Sequence, residues 1–462
     1  MGSRPGSISQ PTLAAPLIPT EHIGPKGWIR YLYLFELPEN YDAARVEQLL
    51  RDAFIAAKKR TPLLGCEAVP DLKTGLLTLR EYGDEINDFK AKDLRAPGLF
   101  PSFAELQAKN FPVSALEADD VCYRSSEWPE AGDRLPVTLM QANFINGGLI
   151  LNWCIFHAYS DGTTAYKFTE ILAEDVRRLQ GIKITNPCEI PYEDRAKIMR
   201  SSGRKPGKPE DHPEYVALPF VPEGPPPKLL ERNTIKGQVF YFSPESMAAL
   251  KKDSTDENSG EWISTNDAVA GLVWRTVMNA QMPVESLNGE AQQALFTVAT
   301  DTRRRAHAPM HKQTIGNFVG FADARMDLKR LLTEATLAET AREVRRSITR
   351  SDKDYLDSLT ALIENTENIY GLAPTVFLDM PGPNILYTTW RNFTLYDLQW
   401  GSALGNQMRS MRLPQAGMCN GAQIVFPEHK DGGLEMYVGV EKQNFERLCQ
   451  DPLWRKYAEI RE

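Results

Sequence analysis

Cysteine is scarce in this sequence and is scattered along it. The 462 residues contain six cysteines, and no two of them form a Cys-x-x-Cys pair. Zinc sites and small disulfide frameworks use closely spaced cysteines, so neither is expected here. The spacing instead predicts reduced thiols in an intracellular protein. The six positions are Cys66, Cys122, Cys154, Cys188, Cys419 and Cys449.

Long apolar segments are missing as well. The longest apolar run near the N-terminus, Tyr31–Phe35, has the length of a strand and is far too short to cross a bilayer. The first residues, Met1–Gly6, are polar and do not have the apolar core of a signal peptide. We therefore expect a soluble, cytoplasmic protein without a membrane partner.

The chain also lacks an excess of positive charge. Its formal net charge is -8 and its pI is about 5.5. Proteins that bind nucleic acids usually present a strongly basic surface, so a nucleic-acid partner is not expected. The basic run Arg303-Arg304-Arg305 favours a solvated surface or structural ion pairs over a phosphate site.

A histidine at the end of an apolar hairpin is the most informative feature that is present. Residues 137–156 are mostly apolar and are interrupted by Asn146-Gly147-Gly148, which predicts two strands joined by a tight turn. His157 follows directly, and Asp161-Gly162 then predicts a sharp bend. An imidazole in this position can act as a general base. The residues alone equally allow a strand-end histidine with structural hydrogen bonds only.

No evident covalent nucleophile accompanies this histidine. The sequence contains neither a Gly-x-Ser-x-Gly elbow nor a glycine-rich phosphate loop. A base without a nucleophile favours direct transfer between two bound substrates over a covalent enzyme intermediate. His307 and His311 have the spacing of two zinc ligands on a helix, but Pro309 between them argues against a helix, so no metal site is expected.

The length of the chain predicts two domains, because one hydrophobic core rarely extends beyond roughly 250–300 residues. Residues 1–185 are predicted to form a first α/β domain, which contains His157. Ten prolines lie between Pro187 and Pro227, so residues 186–233 are predicted to be an extended crossover. Residues 234–462 are predicted to form a second α/β domain, in which the order of elements partly repeats that of the first.

Apolar periodicity locates the individual elements. Strands are predicted at 28–37, 75–81, 137–145, 148–156, 237–242, 294–299, 384–389, 423–427 and 434–440. Helices are predicted at 42–59, 163–179, 244–252, 265–278, 332–350 and 443–450. Residues 300–318 are predicted to be a strand end followed by a long ordered loop. Read alone, the segment Asp397–Gly401 predicts a structural turn around one buried aromatic side chain.

Taken together, these motifs resemble the BAHD acyltransferase superfamily, and within it the fungal trichothecene 3-O-acetyltransferase-like branch. The family's His-x-x-x-Asp-Gly motif corresponds to His157, Asp161 and Gly162. Its Asp-Phe-Gly-Trp-Gly motif appears as Asp397-Leu398-Gln399-Trp400-Gly401, with two of the five positions changed. Other landmarks follow in the family's order over nearly the whole chain: Gln141, Phe144, Gly147, Gly148, Asn266–Arg275, Asp301, Arg303, Arg305, Pro309, Gly316 and Asn317.

The resemblance implies a fold and a reaction centre. The fold would be two chloramphenicol-acetyltransferase-like α/β domains, each a mixed sheet with flanking helices, with an active-site channel between them. His157 would remove the proton of an alcohol acceptor, and the indole N–H of Trp390 would donate to the oxyanion. Thr388, Thr389 and Gly162 would contact the substrate.

The resemblance assigns structural roles to the remaining motif residues. Asp161 would point away from the reaction and pair with Arg303 or Arg305, and the two arginines remain alternatives. Asp397, Trp400 and Gly401 would hold local structure at a distance from the histidine. A buried carboxylate requires a hydrogen-bonded partner, and this requirement agrees with both aspartate roles.

The implied activity is acyl transfer, most typically acetyl transfer, from acyl-CoA to a hydroxyl of a specialised metabolite. Acetyl-CoA would be a co-substrate, no cofactor would be bound permanently, and a monomer is expected. Terpenoid, polyketide and alkaloid alcohols are all admissible acceptors. The alternatives are a carrier-protein-dependent condensation-type enzyme that forms esters or amides, a CoA-independent cyclase, and an inactive binding relative.

Overall fold

The computed structural model describes residues 14–15, 17–71, 76–191, 194–195, 197–222, 234–287, 291–415 and 421–461. Two large mixed sheets, of five and seven strands, form its framework. A four-stranded and a two-stranded sheet accompany them. Among the described residues, no helix combines the length and the apolar character that a membrane span requires.

The strands are numbered in chain order. They are β1 Ala14–Ala15, β2 Trp28–Glu36, β3 Cys66–Pro70, β4 Leu77–Glu81, β5 Phe89–Asp93, β6 Leu135–Pro136, β7 Thr138–Ile145, β8 Gly148–Phe156, β9 Tyr215–Ala217, β10 Ile235–Phe242, β11 Gln293–Asp301, β12 Val319–Asp327, β13 Leu372–Pro374, β14 Asn384–Thr389, β15 Ser410–Arg412, β16 Gln423–Val425, β17 Leu434–Glu441 and β18 Glu459–Ile460.

The α-helices are numbered in the same way. They are α1 Pro19–His22, α2 Ala43–Arg60, α3 Phe103–Ala108, α4 Ala118–Val121, α5 Gly162–Leu179, α6 Pro244–Asp253, α7 Thr265–Gln281, α8 Leu328–Thr333, α9 Leu337–Arg350, α10 Lys353–Asn365, α11 Lys442–Gln450 and α12 Pro452–Arg455.

The N-terminal sheet places the predicted hairpin at its centre. Its strand order is β15-β2-β8-β7-β5, and β7 pairs with β8 in antiparallel register through Ile145 and Gly148. The two-residue turn is possible because Gly147 has a φ of +70°, a conformation that favours glycine. Every residue of β7 and β8 is buried. The hairpin is therefore rigid, and it holds the residue after Phe156 in a fixed place.

Helix α5 begins directly behind that hairpin. The carboxylate of Asp161 accepts a hydrogen bond from the N–H of Thr164 at 2.9 Å, which caps the helix. Its apolar face packs with α2 against the N-terminal sheet, and residues such as Phe168, Leu172 and Phe54 are completely or almost completely buried. The cap and the apolar face together fix the start of α5 relative to the end of β8.

The C-terminal sheet has the order β12-β11-β14-β16-β17-β10-β18. Its central pairs β11–β14 and β14–β16 are parallel, whereas the outer pairs are antiparallel. Helix α7 begins with a capping box between Ser264 and Asp267 and contributes the fully buried Trp274 to the core beside this sheet. The parallel arrangement brings the ends of β11, β14 and β16 to the same edge.

One strand of the C-terminal half joins the N-terminal sheet. Strand β15 pairs with β2 through Ser410 and Leu34, so the C-terminal half is not confined to its own sheet. The following strand, β16, belongs to the C-terminal sheet. Arg412 of β15 forms a buried ion pair with Glu435 of β17, at 2.7 Å, between the two sheets.

Most predicted elements are present, and the differences are of three kinds. The helix predicted at 332–350 begins only at Leu337, as α9, because Thr336 caps a new helix start with Glu339, and residues 332–333 instead end the short helix α8. Several elements were not predicted, among them strands β3, β5, β12 and β15 and helix α10. The crossover prediction for 186–233 lies partly outside the described residues, as do 1–13 and Cys419. Its described part is neither wholly extended nor without folded elements, because Pro209–Asp211 form a 3-10 helix and strand β9 pairs with β13.

Candidate active site

His157 lies immediately after β8, and both its backbone N–H and its backbone carbonyl form hydrogen bonds. Its N–H donates to the carbonyl of Gly27 at 2.7 Å. Its carbonyl accepts a hydrogen bond from Nδ2 of Asn317 at 2.7 Å. The imidazole is half-buried and lines an internal cavity. The position of the ring is thus fixed by segments from both halves of the chain.

The protonation of the ring follows from one hydrogen bond. Nδ1 of His157 lies 2.9 Å from the carbonyl oxygen of Ser160. A carbonyl only accepts, so Nδ1 carries the hydrogen and Nε2 of the neutral ring carries the lone pair. Burial lowers the pKa of His157 below its ordinary value, although Asp161 and local backbone groups oppose the shift. The side chain is therefore a neutral base near pH 7.

Asp161 has no free oxygen for proton transfer. Its Oδ1 accepts from the N–H of Thr164 and from Nη2 of Arg303 at 3.0 Å. Its Oδ2 accepts from Nη1 of Arg303 at 2.7 Å and from the N–H of Phe318 at 2.9 Å. The carboxylate is 3% exposed. Its geometry is that of a structural anchor between helix α5 and the loop after β11.

Arg303, and not Arg305, is the arginine that pairs with Asp161. Besides that bidentate contact, Arg303 donates to the carbonyl of Thr314 at 2.9 Å and to Asp301 at 3.0 Å. Arg305 is half-buried, and its Nη1 has no hydrogen-bond partner within the part of the chain that the structure describes. Burial lowers the pKa of Arg305. The basic run therefore supplies one buried structural cation.

Gly162, Thr388 and Trp390 lie together on the cavity with His157. A Cβ atom on Gly162 would come within 3.0 Å of Phe393 and 3.2 Å of Trp390, so only glycine fits there without a shift. Thr388 shares the cavity side of β14 with Leu386, since alternate residues of a strand face the same way. Thr389 is not among the described lining residues, and its hydroxyl accepts from the N–H of Arg391.

The segment Asp397–Gly401 is a turn, but its aspartate is not a buried anchor. The side chain of Asp397 is exposed, so the expectation of a buried, paired carboxylate is wrong for this residue. Trp400 is fully buried against Phe35 at a ring distance of 5.1 Å. Gly401 has a φ of +79° and packs against the side chain of Gln180. The tryptophan and the glycine therefore carry the structural role of this motif.

The cavity around His157 lies between the two sheets and is mainly apolar. Strands β11, β12, β14 and β16 each contribute to its wall, as does the segment from Thr20 to Pro25. Its apolar wall includes Ile29, Val319, Phe321, Phe377, Leu386 and Ile424. An apolar wall of this kind lowers the local dielectric around His157, which strengthens electrostatic interactions there.

Glu21 belongs to the support of this site and was not predicted. It is fully buried, and its Oε1 accepts from the N–H of Asn317 at 3.2 Å. Its Oε2 is paired with Arg195 of the crossover. Asn317 in turn binds the backbone of His157, so the N-terminal segment reaches the histidine through one amide. Only the tertiary structure joins these residues, which are far apart in sequence.

Among the described residues, no group of three or more His, Cys, Asp or Glu side chains is arranged to hold a metal ion. Nδ1 of His311 accepts a hydrogen bond from the N–H of Gln313 at 3.1 Å, and its Nε2 lies 3.5 Å from Glu189. These are local polar contacts on the surface of the loop after β11.

Comparisons with known proteins agree with this architecture. The model of the Transferase family matches residues 120–452, and that of the trichothecene 3-O-acetyltransferase-like N-terminal domain matches residues 28–175. The fold is similar to that of F. graminearum TRI101 complexed with coenzyme A and T-2 mycotoxin, with a TM-score of 0.81 and 16% identity, over 97% of this chain and 100% of that one.

Two fungal relatives extend the comparison. O-acetyltransferase ptmV of Penicillium ochrochloron is 23% identical over 501 residues, covering 98% of each chain. Enoyl-CoA isomerase/hydratase claC of Penicillium crustosum is 26% identical over 458 residues, covering 95% of this chain. This chain spans only 50% of the length of claC.

The two mixed sheets with the histidine cavity between them have the fold of the TRI101 structures, and the family model together with the relatives identifies the chain as an acyltransferase. The chain belongs to the Transferase family, whose model covers well over half of it. The fold class and the family resemblance predicted from the sequence are thereby confirmed.

Proposed function

We propose that the protein transfers an acyl group, most typically acetyl, from acyl-CoA to a hydroxyl of a specialised metabolite. The observation that carries this proposal is the hydrogen bond between Nδ1 of His157 and the carbonyl of Ser160. It leaves Nε2 as a basic nitrogen on an apolar cavity. A positioned neutral imidazole is the group that deprotonation of an alcohol requires.

The identity of the two substrates is supported by similar proteins. TRI101 was crystallised with coenzyme A and T-2 mycotoxin, and ptmV is named an O-acetyltransferase. By analogy, acetyl-CoA is the donor and a small alcohol is the acceptor. No permanently bound cofactor is needed for this reaction, because the thioester itself supplies the activated acyl group.

The reaction takes place by direct transfer. The acceptor hydroxyl gives its proton to Nε2 of His157 as its oxygen attacks the thioester carbonyl carbon. The tetrahedral intermediate then collapses, its C–S bond breaks, and the imidazolium returns the proton to the leaving thiolate. The products are the ester and free CoA. No enzyme nucleophile forms a bond to the acyl group in this sequence of steps.

The oxyanion of the intermediate requires a hydrogen-bond donor. Trp390 and Thr388 lie on the same cavity as His157, and both carry a suitable N–H or O–H group. We assign the indole N–H of Trp390 to the oxyanion, with the hydroxyl of Thr388 as a second donor. Thr389 is not assigned, because it is not among the described residues that line the cavity.

The test is the CoA-dependent activity of His157→Ala with a metabolite alcohol as acceptor. Loss of a positioned base is expected to lower kcat by roughly 10²–10⁴. Binding of CoA should remain nearly unchanged, as measured by calorimetry. His307→Ala is the matched control, because His307 is exposed and does not line the cavity. Near-normal turnover by His157→Ala would exclude this mechanism.

The same assay separates the alternative activities. A carrier-protein-dependent enzyme would accept an acyl group from an acylated carrier protein and not from acetyl-CoA. A CoA-independent cyclase would convert its substrate without any donor. An inactive binding relative would bind an alcohol without forming an ester. Ester formation that requires acetyl-CoA and His157 supports the proposal over all three.

A further inference from the structure

Charged side chains are absent from the described wall of the reaction cavity. Among the described residues that line this cavity, none is Asp, Glu, Lys or Arg. The polar lining residues are the two threonines Thr20 and Thr388, together with Asn317, Tyr215, Trp390 and His157. A charged group on a ligand would therefore find no ion-pair partner on this wall.

Several of these polar groups are already used within the protein. The hydroxyl of Thr20 donates to the carbonyl of Asn317 at 2.5 Å. The amide of Asn317 donates to His157 through Nδ2 and accepts from the N–H of Val319 through Oδ1 at 3.1 Å. These contacts fix the wall, and they reduce its capacity to solvate an ion.

Two buried ion pairs lie behind the wall, and each is satisfied within the protein. Asp161 is saturated by Arg303 and by backbone N–H groups. Glu21 is paired with Arg195 and with the backbone of Asn317. Neither carboxylate is available to a ligand ammonium, and neither guanidinium is available to a ligand carboxylate. An ion that entered the cavity would lose its hydration without a replacement.

We propose that the acceptor is an uncharged, predominantly apolar alcohol, and that the cavity rejects acceptors with an ammonium or carboxylate group close to the reacting hydroxyl. This proposal rests on the proposed function, because the reacting oxygen must reach Nε2 of His157. The carbon atoms next to that oxygen then lie among walls such as Val319, Phe321 and Leu386. Of the admissible classes, neutral terpenoid and polyketide alcohols fit, and protonated alkaloids do not.

The test compares three probes of similar shape that differ mainly in the charge of one substituent. They are 2-naphthylmethanols with an ethyl, an aminomethyl or a carboxylate group at ring position 4, on the same ring as the hydroxymethyl group. Binding to the full chain is measured by fluorescence at pH 7 without CoA, and ester formation is then measured with acetyl-CoA. The neutral probe is expected to bind at least ~100-fold more tightly than either ion, since an unpaired buried charge costs several kcal/mol.

Equal binding of an ionic probe, within tenfold of the neutral one, would overturn the proposal, and so would failure of the neutral probe to bind. Binding is read separately from turnover. Selective binding of the neutral probe without ester formation would therefore contradict the proposed function, whereas ester formation together with equal binding of an ionic probe would contradict only this inference.

A charge placed in the wall provides a second test. Phe377 lines the cavity and is half-buried in a short 3-10 helix, Thr375–Asp379. Phe377→Glu should improve binding of the aminomethyl probe by roughly tenfold or more relative to Phe377→Gln, which has the same shape without the charge. Equal binding of this cationic probe by the two variants would mean that the cavity does not contact the charged end, and would count against the proposal.

Discussion

Asp161 shows how one residue of the site links several segments. The carboxylate caps helix α5, binds Arg303 through two hydrogen bonds and accepts from the N–H of Phe318. Asp161 and Arg303 lie 142 residues apart in the chain. Asp161 therefore holds the turn after His157 against the loop after β11.

Asp161→Asn should destabilise the fold. The substitution leaves Arg303 buried beside a neutral amide, and breaking a buried pair in this way costs about 3–5 kcal/mol. Urea denaturation measures the free energy of unfolding. Asp397→Asn is the control: its side chain is exposed, so its effect should be within about 0.5 kcal/mol. Equal stability of both variants would contradict the structural role of Asp161.

The activity should depend on pH through His157. Its base form is neutral, so kcat/KM should rise as pH increases through the pKa of the free enzyme. Burial lowers this pKa, so the midpoint should lie below the ordinary value of about 6.5. A pH profile of kcat/KM measures it, and His307→Ala should leave the midpoint unchanged. A midpoint above 7 would show that another group limits the reaction.

Among the elements, the start of helix α5 is where local sequence and the site meet. The cap residue Asp161 is followed by Gly162, whose missing side chain allows Trp390 and Phe393 to approach. Helix α5 and strand β8 are both well predicted by apolar periodicity. The bend between them is predicted by the pair Asp161-Gly162. The aromatic pair that covers Gly162 comes from the other half of the chain.

Gly162→Ala should impair activity more than stability. The added methyl group would push Trp390 or Phe393 away, and small displacements in a site can reduce kcat/KM by roughly tenfold or more. Steady-state kinetics and the melting temperature are measured together. In the control Gly65→Ala, the new Cβ would meet only the flexible side chain of Lys58 at 3.5 Å. Unchanged kcat/KM in Gly162→Ala would show that activity does not require the close contact of Trp390 and Phe393 with Gly162.

At the scale of the whole molecule, strand β15 connects the two sheets. Strand β15 lies in the N-terminal sheet, and its Arg412 pairs with Glu435 in the C-terminal sheet. Nε2 of His429 lies 3.0 Å from the same carboxylate. Burial opposes ionisation of Glu435, but Arg412 and His429 hold its pKa at about 2. The pair therefore contributes stability that depends on pH.

Glu435→Gln should loosen this connection. The folded pKa lies below the usual 4.5, so the charge of Glu435 stabilises the fold above about pH 4.5, and this stabilisation is lost as pH falls toward 2. At pH 7 the variant should lose about 3–5 kcal/mol, because Arg412 stays buried without its partner. Chemical denaturation at pH 7 and pH 3 measures both effects.

The control for that prediction is Glu428→Gln. Glu428 pairs with Arg391 at the surface, where the two side chains are 38% and 27% exposed, so less than about 1 kcal/mol should be lost. If the loss in Glu435→Gln were as small, or equal at pH 3 and pH 7, the pair would not hold the two sheets together.

The sequence alone determined the local part of this protein. Alternating and helical apolar patterns locate β2, the β7–β8 hairpin, α5 and α7, because each pattern reflects one buried face of a single element. The hairpin also places His157 at a strand end before a capped helix. Local patterns failed at α8 and α9, where the capping pair Thr336 and Glu339 divides a region predicted as one helix.

Only the tertiary structure decided which distant residues meet. It selected Arg303 over Arg305 as the partner of Asp161, joined β15 to the N-terminal sheet and brought Glu21 to Asn317 behind His157. It also places the side chain of Asp397 in solvent, although the family motif had suggested a buried anchor at this position. Such contacts depend on how sheets and loops pack after their elements exist, and residue spacing along the chain does not encode that packing.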